Sequence, residues 1–212
     1  EKTLESAFNY SGQKCSACSI LYLPENLLDN FVELMEEKIK IFLNNHENYG
    51  VINDRAYRRL IGLLSDLEND NDINHIIKNN FNSDERYYIE PQVLVCRNHN
   101  HRVFNEEFFG PILSIYPYRK ENIENVIENC VNSNNYALTG SVFSKNDNFI
   151  NYMSNRLRHK AGNFYINDKS TGSVVGQQPF GGAGKSGTND KAGDFNLLYR
   201  LFNQRNIKIN NI

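Results

Sequence analysis

The chain has 212 residues, a formal net charge of −2 and a sequence pI of about 6.3, with 40% hydrophobic and 23% charged residues. This balance predicts a folded, soluble chain. It gives no electrostatic footprint for nucleic acid or an anionic membrane surface, so we expect neither partner. Four cysteines are too few for a disulfide scaffold of this size and favour a reducing compartment. No apolar run is long enough to span a bilayer.

Short apolar strands alternate with amphipathic helices along the first half of the chain. Residues 1–10 predict the end of a helix, and residues 19–23 predict a strand. Apolar residues at helical spacing predict a helix over 27–42, and Asn53-Asp54 can cap another helix that ends near Leu67. Further strands are predicted at 75–77, 87–89, 93–96 and, most strongly, 112–118.

In the second half, strands and helices continue to alternate up to residue 166, and a long polar segment follows. Its predicted elements are a helix over 121–130, a strand over 138–143, a helix over 147–158 and a strand over 163–166. Residues 167–193 are rich in Gly, Ser and Thr, which is typical of a functional or a disordered loop. An apolar stretch over 197–209 closes the chain. The alternation predicts an α/β fold with an open, mostly parallel sheet flanked by helices.

The stretch from Ser11 to Ser19, SGQKCSACS, delivers a cysteine in a loop of small residues just before an apolar strand. Small neighbours leave room for another molecule to reach the sulfur of Cys15. Lys14 and the backbone N–H groups of a tight turn favour the thiolate, which is the nucleophilic form. The residues by themselves are equally compatible with a half-buried structural cysteine, so both interpretations stand at this point.

Two other motif interpretations fail on spacing or context. Cys15 and Cys18 are spaced like a redox dithiol or half a zinc site, but a zinc site needs a second pair, whereas Cys96 and Cys130 stand alone. A thioredoxin-type pair would begin a helix, whereas this pair precedes a strand.

Gly-Lys-Ser at 184–186 lacks the glycine that a phosphate-binding loop needs five positions earlier. We expect no metal site, since the histidines add no zinc spacing: His46, His75, His99, His101 and His159.

Two polar segments carry candidate binding groups. The sequence EEFFGP at 106–111 places carboxylates next to aromatic rings at the entrance of the 112–118 strand. Such groups suit ribose hydroxyls and a flat ring, or simply a solvated turn. The sequence Thr-Gly-Ser at 171–173 suits an anion nest, in which backbone N–H groups and a hydroxyl converge on a carboxylate, or a flexible segment. The residues alone leave these alternatives open.

Five short motifs, spread over essentially the whole chain, carry a family resemblance. They are GQKCSACS at 12–19, EFFGP at 107–111, YALTG at 136–140, GNFYINDKSTGS at 162–173 and QQPFGG at 177–182. Their order and spacing resemble those of the aldehyde dehydrogenase superfamily. The resemblance is narrower still to its subfamily of glutamate γ-semialdehyde dehydrogenases, because the run from 162 to 182 differs in most other members.

The resemblance implies a role for each matching position around the thiol. Cys15, rather than Cys18, takes the nucleophile position, and Ser16 beside it is placed to help bind the substrate. Glu107 takes the position of the acid that holds the nicotinamide ribose. Phe109 takes that of the ring that packs near the nicotinamide. NAD is therefore the expected cofactor.

The resemblance also implies a substrate site. Gly172 and Ser173 correspond to a loop, residues 167–173 and called the anchor loop below, that holds the α-carboxylate of a small-molecule substrate. Phe180 matches an aromatic residue that flanks the aliphatic part of the substrate, while Asn163 has a structural role. The expected activity is NAD-dependent oxidation of L-glutamate γ-semialdehyde, the open form of 1-pyrroline-5-carboxylate, to L-glutamate in proline catabolism. It would proceed through a cysteine thiohemiacetal and a thioester.

The expected domain organisation follows from the same resemblance. Residues 1–195 are expected to form the catalytic domain, and residues 196–212 a segment for oligomer contacts. The family's NAD-binding domain, its oxyanion-hole Asn and its general-base Glu are expected upstream of Glu1, so this chain alone is expected to be inactive. The family also implies a homo-oligomer in the mitochondrial matrix. The alternative is a non-catalytic, truncated domain that self-associates.

Overall fold

The computed structural model describes residues 1–45, 49–78 and 87–210, and a four-stranded sheet forms the centre of the described chain. Its strands are β1 (Ile20–Pro24), β2 (Ile73–Ile77), β3 (Gln92–Cys96) and β4 (Ile112–Tyr118). They lie in the order β1-β4-β3-β2. Strands β1, β4 and β3 run parallel, and β2 pairs antiparallel at the edge. The mostly parallel sheet that the sequence predicts is therefore confirmed.

Burial on both faces explains why the central strands are nearly continuous apolar runs. Every residue of β3 is buried, and β4 is buried from Ile112 to Ile115. Successive side chains point to opposite faces, so Leu94 joins one apolar cluster while Val93 and Val95 join the other. Each cluster is completed by helices packed on that face of the sheet.

Helices cover both faces of this sheet. They are α1 (Lys2–Phe8), α2 (Leu28–Asn45), α3 (Asp54–Glu68) and α4 (Arg102–Asn105). Leu60 of α3 belongs to the cluster on one face, whereas Leu4 of α1 and Met35 of α2 belong to the cluster on the other. The Asn53 side chain accepts a hydrogen bond from the Ala56 N–H at 2.9 Å, which confirms the predicted N-cap of α3.

The second half of the described chain is built from smaller units. Its elements are α5 (Ile123–Asn132), β5 (Tyr136–Ala137), β6 (Thr139–Val142), α6 (Asp147–Arg156), β7 (Asn163–Ile166), β8 (Ala183–Gly184) and α7 (Phe195–Tyr199). Strands β6 and β7 pair in parallel, and β5 pairs antiparallel with β8. From Leu201 to Asn210 the chain has neither helix nor strand. No helix in the described ranges has both the length and the apolarity needed to cross a bilayer.

Some local features differ from the predictions. The strand predicted over 138–143 forms as β6, but a separate short strand that was not predicted, β5, precedes it and pairs with β8, whereas β6 pairs with β7. The strand predicted over 87–89 does not form, because Tyr87 has a left-handed φ of 53°. Helix α4 was not predicted, and its N-cap is the His101 ring, which accepts from the Val103 N–H. His46 lies outside the described residues.

Candidate active site

Cys15 lies in a tight turn between α1 and β1. The Ala17 N–H donates to the Lys14 carbonyl at 3.0 Å, which places Cys15 and Ser16 at the two central positions. The Cys18 N–H donates to the Ser6 carbonyl at 3.0 Å and fastens the end of the turn to α1. Residues 10–18 are called the cysteine turn below. Cys15 is exposed at its tip, so the thiol is accessible to a small molecule.

The cysteine turn begins with three consecutive residues in the left-handed region. Tyr10, Ser11 and Gly12 have φ angles of 56°, 56° and 66°. Two of them are not glycine, and such conformations persist only where surrounding contacts hold them. Here the Tyr10 ring stacks on Tyr49 at a centroid distance of 5.6 Å, and the Ser11 hydroxyl donates to the Tyr49 carbonyl. The backbone that leads to the cysteine is therefore fixed by contacts remote in sequence.

The backbone of the cysteine turn offers hydrogen-bond donors beside the thiol. Within the part of the chain that the structure describes, the N–H groups of Cys15 and Ser16 donate to no protein acceptor. Lys14 directs its ammonium onto the Tyr10 ring, 4.4 Å from the centroid. The two free N–H groups are therefore the donors that this turn can present to an anionic oxygen formed at the sulfur-bound carbon.

The other described cysteines are poor nucleophiles. Burial raises the pKa of Cys18 to about 12, and its thiol donates to the Ile20 carbonyl at 3.5 Å. Burial also raises the pKa of the Cys96 and Cys130 thiols. A dithiol mechanism needs two accessible sulfurs with thiolate character, and Cys18 does not meet that requirement. The geometry agrees with the choice of Cys15 over Cys18.

Gly12 and Gly110 bring the EFFGP segment against the cysteine turn. A Cβ added to Gly12 would lie 2.2 Å from the Gly110 carbonyl oxygen, so the two backbones are in direct contact. Gly110 in turn rests on Leu60, since a Cβ added to it would lie 2.7 Å from a Leu60 methyl carbon. This double contact requires glycine at both positions. It places the segment that carries Glu107 and Phe109 beside the cysteine turn.

Glu107 and Phe109 are both exposed, while Phe108 between them is buried. The buried ring and a 2.6 Å hydrogen bond from the Arg59 guanidinium to the Phe108 carbonyl fix the segment. Phe109 has a left-handed φ of 51° and 44% exposure. A strained residue that presents an aromatic ring to solvent is typical of a binding site. Because exposed and buried residues alternate here, the Glu107 carboxylate and the Phe109 ring both lie on the solvent-accessible side of the segment.

The anchor loop is joined directly to the cysteine turn by buried serines. The Ser170 hydroxyl donates to the Ser16 carbonyl at 2.9 Å. The Ser170 N–H donates to the Ser6 hydroxyl at 3.1 Å. All three serines are at least 91% buried, so these hydrogen bonds are made away from water. Any shift of the anchor loop is therefore felt at the residue next to Cys15.

Two ion pairs of opposite orientation fasten the anchor loop to α1. Lys2 lies 2.9 Å from the Asp168 carboxylate, and Lys169 lies 2.9 Å from that of Glu5. The hydrogen bond from Lys169 lowers the pKa of Glu5, and the one from Lys2 lowers the pKa of Asp168. All four side chains remain partly exposed, so these pairs orient the loop and contribute little stability.

Gly172 and Ser173 lie at the far end of the anchor loop. The Gly172 N–H donates to the Lys169 carbonyl at 3.1 Å, which closes a turn. The Ser173 hydroxyl donates to the Gln178 carbonyl at 3.3 Å, a long distance for such a bond. Both residues are half-buried. The Ser173 hydroxyl is therefore held weakly and can be redirected to a ligand.

Phe180 follows the anchor loop in sequence and pairs with a segment near the end of the chain. It exchanges two backbone hydrogen bonds with Ala192, at 3.0 and 2.9 Å, and its side chain is half-buried. The Asn163 amide donates to the Pro179 carbonyl at 3.0 Å and accepts from the Gly181 N–H at 3.1 Å. Asn163 thus holds the backbone on both sides of Phe180, which agrees with the structural role expected for it.

The described contacts join the segments that carry most of the predicted residues to the cysteine turn. Glu107 and Phe109 approach from the EFFGP side, and Gly172 and Ser173 from the anchor-loop side. Ser6 and Ser170, which join the second group to the cysteine turn, were not singled out from the sequence. Their partners are 164 and 154 positions apart, so no local pattern marks them. Across the described ranges, no cluster of three or more His, Cys, Asp or Glu side chains could hold a metal ion.

Comparison with known proteins points to one family. The sequence profile of the aldehyde dehydrogenase family matches residues 1–205. The probable delta-1-pyrroline-5-carboxylate dehydrogenase of Schizosaccharomyces pombe is 39% identical over 213 residues, covering 97% of this chain and 39% of that protein. The mitochondrial delta-1-pyrroline-5-carboxylate dehydrogenase of Mus musculus is also 39% identical, with coverage of 97% and 38%.

Solved structures give the same result at the level of the fold. The delta-pyrroline-5-carboxylate dehydrogenase of Mycobacterium tuberculosis superimposes with a TM-score of 0.82 at 33% identity, covering 94% of this chain and 38% of that one. The Thermus 1-pyrroline-5-carboxylate dehydrogenase with bound NAD gives a TM-score of 0.77 at 28% identity, covering 93% and 38%. The chain therefore spans about two fifths of the length of these relatives.

Proposed function

The chain belongs to the aldehyde dehydrogenase family, and on this premise we propose that it is the catalytic domain of an NAD-dependent dehydrogenase that oxidises L-glutamate γ-semialdehyde to L-glutamate. One observation carries the proposal: the buried 2.9 Å hydrogen bond between Ser170 and the Ser16 carbonyl. It joins an exposed cysteine to a loop suited to a carboxylate. A substrate with an aldehyde at one end and a carboxylate at the other would need this combination. The names of the relatives supply the same substrate.

Cys15 is the proposed nucleophile. It is exposed, while the Cys18 thiol is held protonated by burial. A thiolate adds readily to an aldehyde carbon and gives a tetrahedral thiohemiacetal on Cys15. Loss of a hydride converts this adduct into a thioester, which water then hydrolyses to the acid. Splitting the oxidation into these steps is the advantage of covalent catalysis.

The cysteine turn supplies part of the electrostatic stabilisation in this proposal. The adduct carries an oxyanion on the carbon bound to sulfur. The N–H groups of Cys15 and Ser16, which have no acceptor in the described chain, are the donors proposed to bind it. Preorganised donors of this kind require no rearrangement when the charge develops. The left-handed residues before the turn keep the donors in place.

Glu107 and Phe109 fit a bound NAD. An exposed carboxylate can accept hydrogen bonds from ribose hydroxyls, and an exposed ring beside the cysteine turn can pack on the nicotinamide. The Gly12–Gly110 contact brings both within reach of the cysteine turn. When bound, NAD supplies the hydride acceptor for the oxidation. The protein's part is to hold that acceptor against the carbon attached to Cys15.

Gly172, Ser173 and Phe180 are proposed to bind the rest of the substrate. The Ser173 hydroxyl, weakly held by Gln178, is available to donate to the α-carboxylate. Ser16 and Phe180 would flank the carbon chain. Binding energy from the remote carboxylate orients the aldehyde at Cys15, which speeds the reaction by fixing the geometry of attack.

The cellular setting is part of the same proposal. The mouse and human relatives are named mitochondrial enzymes of 1-pyrroline-5-carboxylate oxidation. We infer a mitochondrial location, a homo-oligomeric assembly and a place in proline catabolism for the full-length protein. Fluorescence microscopy of the tagged full-length protein tests the compartment, and light scattering tests the assembly.

The activity is tested by NADH formation from 1-pyrroline-5-carboxylate by the full-length protein. Cys15→Ala should reduce the rate by roughly 10³-fold or more, because the covalent route is lost. Cys18→Ala is the matched control, since its thiol is protonated and has no role in the proposed chemistry. Retention of activity by Cys15→Ala would refute the nucleophile, and an inactive wild type would refute the function.

A second candidate function is self-association without catalysis. The observation that favours it is a series of exposed apolar side chains near the end of the chain. Their exposed fractions lie between 66% and 80%, and they are Phe195, Leu201, Phe202, Ile207 and Ile209. The 212-residue chain alone should then form oligomers by light scattering and produce no NADH. Steady NADH formation by this chain alone would reject that alternative.

A further inference from the structure

Tyr165 carries a buried hydroxyl that has no hydrogen-bond partner. The residue lies on β7, is 94% buried, and its hydroxyl makes no hydrogen bond among the described residues. An unpartnered buried hydroxyl destabilises the folded state, because the group has lost its water without a replacement. Such groups are uncommon in native proteins and often mark a function.

The Tyr165 ring lies directly under the anchor loop. A Cβ added to Gly172 would lie 3.3 Å from Tyr165 Cε1, and Cε1 is bonded to the carbon that carries the hydroxyl. The same added atom would lie 3.1 Å from the Lys169 carbonyl oxygen and 3.3 Å from the Asp168 carboxylate. The hydroxyl is therefore adjacent to the Gly172–Ser173 backbone. Burial raises the pKa of Tyr165, and the Ser173 side chain offsets part of that rise.

The Ser173 side chain is close enough to the Tyr165 hydroxyl to lower the Tyr165 pKa. It now donates to the Gln178 carbonyl at 3.3 Å, which is longer than an ordinary O–H···O bond. Releasing this bond therefore costs little. The Gln178 carbonyl lies in an exposed turn and can be hydrated instead. A carboxylate at the anchor loop would attract the Ser173 proton, because bonds to charged acceptors are stronger.

We infer that Tyr165 is a positioning residue that selects carboxylate-bearing substrates through Ser173. When a carboxylate binds, the Ser173 hydroxyl turns from Gln178 to the ligand, and the Tyr165 hydroxyl donates to the freed Ser173 oxygen. The result is a chain in which Tyr165 donates to Ser173 and Ser173 donates to the carboxylate. Hydrogen bonds in such chains strengthen one another in a site of low dielectric constant.

The Tyr165 hydroxyl is too buried to contact the substrate directly, so we expect it to act through Ser173. Its exposed area is below 1 Å², so a substrate atom cannot touch it without displacing the anchor loop. The proposal rests on the proposed function for the identity of the ligand. In this proposal Tyr165 completes the carboxylate site only when the ligand is present. Its hydroxyl should therefore contribute to ligand affinity but not to the Tm without ligand.

The test compares Tyr165→Phe with wild type in the full-length protein. The KM for L-glutamate γ-semialdehyde and the Kd for the product L-glutamate, measured by titration calorimetry, should both rise about three- to tenfold, as expected for one lost hydrogen bond. kcat should stay within twofold, and so should kcat/KM for propanal, which has no carboxylate. The Tm without ligand should be unchanged or slightly higher, because the removed hydroxyl had no partner. A purely structural hydroxyl would lower the Tm instead.

A second measurement tests the route through Ser173. In the Ser173→Ala background, Tyr165→Phe should weaken L-glutamate binding no further, because the Ser173 oxygen through which Tyr165 acts is gone. Tyr152→Phe is the matched control, since its exposed hydroxyl bonds the Glu124 carboxylate and no residue of this loop, and its KM should equal that of wild type.

The two proposals fail in different ways. Equal L-glutamate affinity for wild type and Tyr165→Phe, a lower ligand-free Tm, or additive effects with Ser173→Ala would each overturn the role of Tyr165. A wild type that binds L-glutamate and yet forms no NADH overturns the proposed function alone. A wild type that neither binds L-glutamate nor turns over overturns both.

Discussion

The cysteine turn and the anchor loop meet at one buried hydrogen bond, yet the protein holds them by different means. The cysteine turn has three left-handed residues, a backbone contact between Gly12 and Gly110, and a bond to α1. The anchor loop is fixed at its start, where Asn167 exchanges two hydrogen bonds with the Ser144 backbone, but its far end is held by the Gly172–Lys169 turn and the long Ser173–Gln178 bond. The chain that follows is open to solvent, and Val175 is 100% exposed.

The difference matches what each part has to do in the proposed reaction. A nucleophile and its oxyanion donors work best when they are already in place, because no reorganisation then opposes the reaction. A substrate anchor can form its final bonds with the ligand itself. Stability is not uniform across a protein, and ligand-binding segments come from its less stable parts. Substitutions in the two segments should therefore separate stability from substrate binding.

The largest effect on stability is expected for Gly12→Ala. A left-handed φ costs a non-glycine residue about 1–2 kcal/mol, and the added Cβ would lie 2.2 Å from the Gly110 carbonyl oxygen. Relieving that overlap requires backbone movement, typically about 1–3 kcal/mol more. We expect the free energy of unfolding, measured by denaturant titration of the full-length protein, to fall by about 2–5 kcal/mol.

Gly176→Ala is the matched control for this experiment. Gly176 also has a positive φ, 82°, but an added Cβ would meet no atom within 4 Å. It should therefore lose only the conformational part, about 1–2 kcal/mol. Equal losses for the two variants would show that the contact with Gly110 does not constrain the cysteine turn, and the contrast between the two segments would disappear.

An intermediate effect is expected where the two segments meet. Ser170→Ala removes the donor to the buried Ser16 carbonyl, so the free energy of unfolding should fall by about 1–3 kcal/mol. kcat should fall as well, because the residue beside Cys15 loses its fixed position. Ser170→Thr keeps the hydroxyl and should restore most of both losses. Ser154→Ala, whose hydroxyl bonds the Ile150 carbonyl within α6, should be nearly neutral.

The Ser170→Ala variant also distinguishes two possible roles of the anchor loop. If the loop only binds the carboxylate, Ser170→Ala changes KM and leaves kcat alone. If it also positions the cysteine turn, kcat falls even at saturating substrate. A variant with altered KM, normal kcat and normal stability would contradict the tether between the segments.

The strands of the sheet and the reactive residue types of the site could be predicted from short stretches of sequence. Strand β4 was predicted with its exact bounds, 112–118, because β-branched and aromatic residues between turn signals leave few alternatives. Cys15 and the Thr-Gly-Ser segment could be singled out by residue type, although residue type alone left their roles open. The family resemblance then supplied the assignments, and the profile match over 1–205 confirms the family itself.

The contacts that assemble the site could not be predicted in this way. In the sequence, Ser6 and Ser170 are ordinary small polar residues, and their burial arises only when segments distant in the chain meet. Glycine at Gly12 is compatible with its positive φ, but Tyr10 and Ser11 are residue types that give no sign of a left-handed conformation. Tertiary contacts impose that conformation, so a local pattern gives no warning of it.

The smallest effect on stability is expected for Ser173→Ala. Its hydroxyl makes one long hydrogen bond in a half-exposed position, so the free energy of unfolding should change by less than about 0.5 kcal/mol. Substrate binding should nevertheless weaken by about 1.5–3 kcal/mol, the range for a hydrogen bond to a charged group, and appear as a raised KM for L-glutamate γ-semialdehyde. An unchanged KM would refute the anchor. A stability loss as large as that of Ser170→Ala would mean that the loop is already rigid without ligand, and the distinction between a preformed nucleophile and a ligand-completed anchor would have to be abandoned.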